Sequence, residues 1–216
     1  SCTISDMAKA ASKKGLKLLG ITDHGPGTLA AGTSSYFRSL TYAPKKRFGI
    51  ELLFGAELNI LDTEGHLDLN DELLSELDYA IASMHAQNYK SGTVEENTSA
   101  YLNAMRHPCV KVLGHCDNPA FPVDYETLAF GAKEYGVIFE INEASLMPDG
   151  YRGDTKENNR EILKYCMKYE IPIVLSSDSH GAEHVGDFTY GAEFIHEMMF
   201  PERLILNNDI PRLKMI

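Results

Sequence analysis

Ile173-Val174-Leu175-Ser176-Ser177-Asp178-Ser179-His180 is an apolar run that ends in a carboxylate and an imidazole two residues apart. Because no polar residue alternates with the aliphatic ones, the run predicts a strand covered on both faces, as in a parallel sheet flanked by helices. Asp178 and His180 are two positions apart and therefore point to the same side of an extended chain. They are candidate metal ligands. The alternative is a turn capped by Asp178, with His180 as a loop histidine.

The alternation of strands and helices continues outward from this stretch. Apolar runs predict six strands, over 16–22, 50–56, 78–84, 110–114, 137–141 and 173–177. Helical spacing and stop signals predict helices over 7–14, after a capping box at Thr3 and Asp6, and over 71–77, 95–106, 125–135, 157–169 and about 192–198. This order favours an α/β fold whose parallel sheet is closed or nearly closed into a barrel. With 216 residues, 44% of them hydrophobic, we expect a single domain over 1–216.

Five of the six predicted strands have a histidine or a carboxylate at the carboxyl end. These residues are His24, Glu57, His85, His115 and the pair Asp178 and His180. Taken singly, a buried histidine is more often a packing residue than a ligand. In a parallel barrel, however, the carboxyl ends of all strands open onto one face, so we expect the six side chains to converge at one mouth.

The donor set of these strand ends predicts a metal centre. Four imidazoles and two carboxylates exceed the needs of one ion, so two or three divalent ions are expected. The mixture of nitrogen and oxygen donors favours Zn, Mn or Fe over Mg or Ca. Such ions lower the pKa of bound water, supply hydroxide as the nucleophile and hold phosphoryl oxygens during in-line displacement. No catalytic serine or cysteine is then required.

Composition restricts the partners. A formal net charge of −11 argues against a nucleic-acid partner, because affinity for nucleic acids comes mostly from Lys and Arg. A phosphorylated substrate is still compatible, since metal ions supply local positive charge. The four cysteines have no CxxC spacing, which indicates a reduced, cytoplasmic protein. Neither a membrane-spanning run nor a signal peptide is visible, so no membrane or export role is expected.

The ordered strand-end motifs resemble the PHP (polymerase and histidinol phosphatase) superfamily of metal-dependent phosphoesterases. The motifs are Ile21-Thr22-Asp23-His24, Gly55-Ala56-Glu57, Ser83-Met84-His85, Gly114-His115, Glu140-Ile141-Asn142 and Ser177-Asp178-Ser179-His180. The resemblance implies a distorted (β/α)7 barrel with a trinuclear metal site. In that site Glu57 bridges two ions, His85 and His115 hold one of them, Asp178 serves another, and His24 and His180 hold a third. The chain is most similar to the small standalone bacterial phosphatases of the group.

One departure from the family pattern is that the first strand, with its His-x-His motif and a further histidine, is missing from the sequence. We expect that the sequence has lost its N-terminus, because an open barrel exposes strand edges and its apolar interior. The alternative is a six-stranded barrel with fewer metal ligands. Loss of that strand weakens the Asp178 ion most and leaves the ion at Glu57, His85 and His115 best supported.

The sequence thus predicts a phosphatase that hydrolyses a small phosphomonoester through a metal-activated hydroxide. The alternatives are a non-catalytic or regulatory metal-binding barrel and a metal-dependent amidohydrolase on a similar barrel. Arg152, Arg38 and His184 are candidates for substrate binding, although exposed arginines are usually solvated and His184 is equally compatible with a plain loop residue. The excursion over 28–48 is expected to be a functional lid or to contain a local helix.

Overall fold

Six parallel strands form a curled sheet, and their order in the sheet follows their order in the chain. The computed structural model describes residues 2–29 and 31–216. The strands are β1 (Leu18–Ile21), β2 (Lys46–Arg47), β3 (Ile50–Asn59), β4 (Tyr79–Ser83), β5 (Val110–Leu113), β6 (Ile138–Asn142) and β7 (Ile173–Ser176). All are parallel except β2, which pairs antiparallel with the start of β3. The predicted α/β fold is therefore confirmed, as a half-barrel consistent with a distorted TIM-like barrel.

Helices alternate with these strands. They are α1 (Ile4–Lys13), α2 (Ser34–Thr41), α3 (Asp71–Leu74), α4 (Val94–Met105), α5 (Tyr125–Tyr135), α6 (Glu143–Leu146), α7 (Lys156–Tyr169), α8 (Thr189–Glu197) and α9 (Ile210–Leu213). The predicted capping box is present, since Thr3 accepts from the Asp6 amide and Asp6 accepts from the Thr3 amide. Gly136 ends α5 at φ +69°, a left-handed conformation that costs glycine nothing. The predicted helices are thus confirmed to within a few residues at their ends.

The two larger of three apolar clusters among the described residues hold most of the helices against the sheet. One joins β5 and β6 to α4, α5 and α7 through residues such as Phe139, Leu113 and Leu163. The other joins β3 to α1 and α2 through residues such as Phe54 and Phe37. Each of these five side chains is buried, which contributes roughly 1.5–3 kcal/mol per side chain. Every residue of β6 is buried, whereas β7, the strand predicted to be covered on both faces, alternates buried and half-buried residues.

The main correction to the predicted elements concerns β3. The sequence predicts a strand that ends before Glu57, but β3 continues to Asn59. Pairing explains the difference: Glu57 forms a bridge with His24, and Asn59 is in register with Ser83 of β4. Glu57 therefore lies within a hydrogen-bonded strand, which fixes its backbone.

The excursion over 28–48 contains α2, which confirms the predicted local helix. Residue 30 of this excursion lies outside the described part of the chain. Tyr36 of α2 donates a hydrogen bond to Asp23, the residue before His24. Burial raises the pKa of Tyr36, and so does that hydrogen bond. The helix is therefore tied to the end of β1. A role for the excursion as a lid stays a prediction.

The two outer strands of the half-barrel differ in how their edges are covered. The side chain of Asn207 pairs with β7 by accepting from Leu175 N and donating to Leu175 O, both at 2.8 Å. Within residues 2–29 and 31–216, no strand pairs with the outer edge of β1. A cleft of about 1840 Å³ runs between these strands and reaches His24 and Asp178. No helix in the described part of the chain is long and apolar enough to span a membrane.

Candidate metal centre

Glu57 is the centre of a cluster of imidazoles contributed by three other strand ends. Its Oε1 lies 2.9 Å from His115 Nε2 and 3.3 Å from His85 Nε2, and its Oε2 lies 3.1 Å from His24 Nδ1. The two Nε2 atoms of His85 and His115 are 3.2 Å apart. Four of the six predicted ligands therefore direct their donor atoms at one another, and we call these four residues the histidine side of the mouth.

Asp178 and His180 reach the same mouth from the end of β7 but have different neighbours. The ring centroid of His180 is 5.9 Å from that of His24, and its side chain is 69% exposed. Asp178 Oδ2 accepts hydrogen bonds from Arg152 Nη2 at 3.0 Å and from Asn142 Nδ2 at 3.2 Å. We call Asp178, Arg152 and Asn142 the arginine side. All six predicted ligands thus lie at one mouth, but in two different electrostatic settings.

Electrostatics keep Glu57 ionised and favour the neutral form of His24. Burial opposes ionisation of Glu57, but the hydrogen bond from His115 and the charges of His115 and His24 hold its pKa well below the ordinary value. Burial lowers the pKa of His24, which favours the neutral imidazole that binds metals. Burial would also lower the pKa of His115, but its hydrogen bond with Glu57 and the charges of Glu57 and Glu140 together outweigh this effect and raise that pKa. The carboxylate is therefore anionic and surrounded by nitrogen donors.

The backbone is strained at one residue on each side of the mouth. His115 has φ +28° and Asp178 has φ +45°, values that are uncommon outside glycine. The His115 N–H donates to Glu140 Oε2 at 2.7 Å, which holds the strained peptide in place. Glu140 also accepts from Asn142 and Ser176, and burial raises its pKa. Such conformations cost roughly 1–3 kcal/mol each and cluster at functional sites.

The histidine side fits a divalent ion. One donor atom from each of His24, Glu57 and His85 lies within 4.8 Å of the other two. Among the described residues, His24 Nδ1 is buried and lies 3.1 Å from Glu57 Oε2 without forming a hydrogen bond, although buried polar atoms are normally satisfied. Three imidazoles and one carboxylate are a donor set suited to Zn, Mn or Fe. His24, Glu57 and His85 of the predicted ligand set therefore have a spacing that could hold a metal ion.

The structure separates the three predicted substrate-binding residues. Arg152 lies at the mouth, but it is not the solvated arginine of the alternative interpretation, since its side chain is only 3% exposed. Arg38 is exposed on α2, where Phe37 and Leu40 face the core. His184 is exposed in the loop after β7. Their roles in substrate binding stay predictions.

Three polar residues that support the mouth were not identified as site residues from the sequence: Glu140, Asn59 and Asp68. Glu140 is the one charged residue within the apolar run 137–141, so its sequence position carried a signal. Asn59 stands between Leu58 and Ile60 and gave a weaker signal of the same kind. Asp68 gave none, because it lies outside the predicted strands and helices.

Comparison with known proteins matches residues 1–146 to the PHP domain and residues 156–191 to the PHP-associated family. The chain belongs to the PHP family. This PHP chain is 39% identical over 211 residues to a protein of Clostridium novyi named "Probable phosphatase", with 98% of this chain and 86% of that protein covered. It is also 39% identical over 213 residues to a "Probable phosphatase" of Thermoanaerobacter pseudethanolicus, with the same coverage. The family resemblance predicted from the motifs is confirmed.

A solved structure shares the architecture of the PHP chain at greater distance. A chain in the cryo-EM structure of archaeal ribonuclease P with mature tRNA matches at a TM-score of 0.52 and 16% identity. The match covers 92% of this chain and 86% of that one. At this identity the likeness concerns the fold alone.

Proposed function

We propose that the chain is a metal-dependent phosphoesterase that hydrolyses a small phosphomonoester. The observation that carries this proposal is the position of Glu57, within 3.3 Å of imidazole nitrogens from three different strand ends. Family membership and the names of the relatives support it independently. Two or three ions of Zn, Mn or Fe are the proposed cofactors.

Each proposed ligand has a role that follows from its neighbours. His85 and His115 share Glu57 Oε1, so these three residues would hold one ion, and Glu57 Oε2 extends the carboxylate toward a second. His24 and His180 would hold an ion nearer the solvent, since their rings are adjacent and His180 is exposed. Asp178 is the remaining proposed ligand. When bound, such ions activate water for attack on phosphorus and offset the negative charge of the phosphoryl oxygens.

Arg152 is proposed to orient the phosphoryl group. A guanidinium has five N–H donors, and hydrogen bonds to Asn142, Ser145 and Asp178 engage three of those of Arg152. The remaining N–H donors suit a phosphoryl oxygen. The three hydrogen bonds also hold the planar guanidinium in one orientation, as recognition of a phosphoryl group requires. The ring centroid of the exposed Tyr151 lies 4.6 Å from the guanidinium carbon. Arg38 and His184 are proposed as weaker contacts at the rim.

The proposed setting is cytoplasmic, with no nucleic-acid or membrane partner. The four cysteines are free thiols, and Cys116 and Cys166 are buried. The net charge of −11 weighs against a polyanionic partner. A small substrate also suits a mouth whose central groups are buried.

The test is hydrolysis of a chromogenic phosphomonoester, with and without a chelator, together with the metal content of the purified protein. We expect chelation to abolish turnover and added Zn²⁺ or Mn²⁺ to restore it. His115→Ala and Asp178→Asn should each reduce kcat at least 100-fold, with a folded protein confirmed by circular dichroism. Unchanged turnover in both variants would overturn the proposal. Hydrolysis of amides or lactones without hydrolysis of phosphoesters would identify an amidohydrolase, and metal binding without hydrolysis would identify a binding protein.

A further inference from the structure

The imidazole of His85 is held from behind by a polar network on its Nδ1 side. His85 Nδ1 lies 2.7 Å from Asn59 Oδ1, and both side chains lie at the carboxyl ends of neighbouring strands. Asn59 is fully buried. The amide of Asn88 also donates to Asn59 Oδ1 at 2.8 Å. The orientation of the Asn59 amide therefore decides what His85 meets at this nitrogen.

Asp68 fixes that orientation. Its carboxylate accepts from the backbone N–H of Asn59 at 2.9 Å, from the backbone N–H of Gly27 at 2.8 Å and from Asn59 Nδ2. An ionised carboxylate only accepts hydrogen bonds, so the NH₂ end of the Asn59 amide must face Asp68. The oxygen end consequently faces His85.

Two glycines in the turn after β1 allow the carboxylate to approach. A Cβ at Gly25 would lie 2.3 Å from Asp68 Oδ1, and one at Gly27 would lie 2.7 Å from Asn88 Oδ1. Both distances are shorter than nonbonded atoms tolerate. The small residues of this turn thus make room for Asp68, which joins the turn to the hairpin around the Ile60 and Leu67 bridge.

The network determines the tautomer of His85. Because Asn59 Oδ1 is an acceptor, the proton of a neutral His85 ring must be on Nδ1. The lone pair is then on Nε2, which faces Glu57 Oε1 at 3.3 Å and His115 Nε2 at 3.2 Å. Groups that orient the far nitrogen of a metal-binding imidazole in this way typically contribute 10- to 100-fold to metal affinity.

We propose that Asp68, acting through Asn59, is a positioning residue that keeps the proton of His85 on Nδ1 and so presents Nε2 to a divalent ion. This inference rests on the metal-binding function proposed above. In Asp68→Asn, NH₂ replaces one carboxylate oxygen, and at the Oδ2 position it would face the Gly27 N–H and the NH₂ of Asn59. Rotation of the Asn59 amide relieves this conflict, but it turns NH₂ toward His85 Nδ1 and moves the ring proton to Nε2.

The experiment measures the tautomer directly, by ¹⁵N chemical shifts of the His85 ring in metal-free protein at pH 9, and the affinity separately, by titration with Zn²⁺. We expect Nδ1–H in the wild type, a substantial population of Nε2–H in Asp68→Asn, and a 10- to 100-fold weaker Kd in that variant. The matched control is Asp62→Asn, which removes an exposed carboxylate of the same hairpin that pairs with His66 at 2.7 Å. The control should keep the wild-type tautomer and a Kd within about twofold.

A second variant carries the test if Asp68→Asn does not fold. Asn59→Asp combined with Asp68→Asn reverses the polarity of the pair: a carboxylate at 59 still accepts from His85, and an amide at 68 donates to it. This double variant should retain Nδ1–H and recover Zn²⁺ affinity to within about tenfold of the wild type.

A wild-type tautomer in Asp68→Asn would overturn the proposal, whether or not affinity falls, because weaker binding with an unchanged ring indicates a structural role only. A mixed tautomer in the double variant would also overturn it. Failure of the proposed function is distinguishable: the wild type would then bind no Zn²⁺ while its ¹⁵N spectrum still reported the tautomer.

Discussion

The histidine side and the arginine side of the mouth neutralise their carboxylates in different ways. Glu57 is surrounded by three imidazoles, and no lysine or arginine of the described residues forms an ion pair with it. Asp178 is paired with the permanently charged guanidinium of Arg152 at 3.0 Å. Imidazoles can lose a proton and become ligands, whereas a guanidinium cannot. The histidine side is thus suited to a cation that can exchange, such as a metal ion. On the arginine side the cation is the guanidinium of Arg152, which is part of the protein.

The largest effect is expected from Glu57→Gln, which removes the charge shared by the histidine side. The variant should lose more activity than the roughly 100-fold typical for groups that only support a ligand, because the carboxylate itself is a proposed ligand. The measurement is kcat with a chromogenic phosphomonoester, accompanied by metal analysis of the purified variant. A variant that keeps its activity and its metal would remove the distinction between the two sides.

Arg152→Met should have the largest effect on stability. It leaves Asp178, whose side chain is 15% exposed, without its cation, and such a loss typically costs about 3–5 kcal/mol. Urea unfolding of the metal-free protein measures this cost. The double variant Arg152→Met with Asp178→Asn should recover much of the lost free energy of unfolding. If the single variant is as stable as the wild type, the ion pair does not hold the arginine side together.

The pH dependence of stability sharpens the same comparison. Burial opposes ionisation of Asp178, but Arg152 holds its pKa below the ordinary value. Because the pKa is lower in the folded state, the contribution of Asp178 is complete above about pH 5 and is lost as the pH falls through the folded-state pKa. The stability difference between the wild type and Asp178→Asn should therefore shrink between pH 5 and pH 3 in metal-free protein. A difference that stays constant over this range would show that Arg152 does not lower this pKa.

The smallest effects are expected at the rim. Arg38→Ala and His184→Ala remove exposed groups, and rim charges mainly change encounter with a charged ligand. Each variant should raise KM for a phosphomonoester by about threefold or less and leave kcat unchanged, as steady-state kinetics at low salt would show. A large fall in kcat for either variant would place that residue in the catalytic machinery.

The sequence predicted the strand ends well because each rests on a local pattern. An apolar run and the polar residue after it are contiguous, so Asp178, His115 and His85 could be assigned to one mouth before any contact was known. The partner of each group was not predictable in the same way. Arg152 meets Asp178 across 26 residues, and Asp68 meets Gly27 across 41, through loops whose paths depend on tertiary packing.

The end of β3 shows the same limit on a smaller scale. The apolar run over 50–56 was visible, but the position at which pairing stops depends on the neighbouring strands. Tertiary pairing extended β3 through Glu57 to Asn59, which placed both residues on a rigid ladder. The proposed ligand and the residue that orients His85 are therefore held by the same strand.

The most direct test of the central claim is calorimetric titration of Zn²⁺ into metal-free wild type, Glu57→Gln and Asp178→Asn. If the histidine side is the stronger cation site, the tightest binding event will disappear in Glu57→Gln and persist in Asp178→Asn with a Kd within about tenfold of the wild type. Persistence of that event in Glu57→Gln, or its loss in Asp178→Asn alone, would contradict the account.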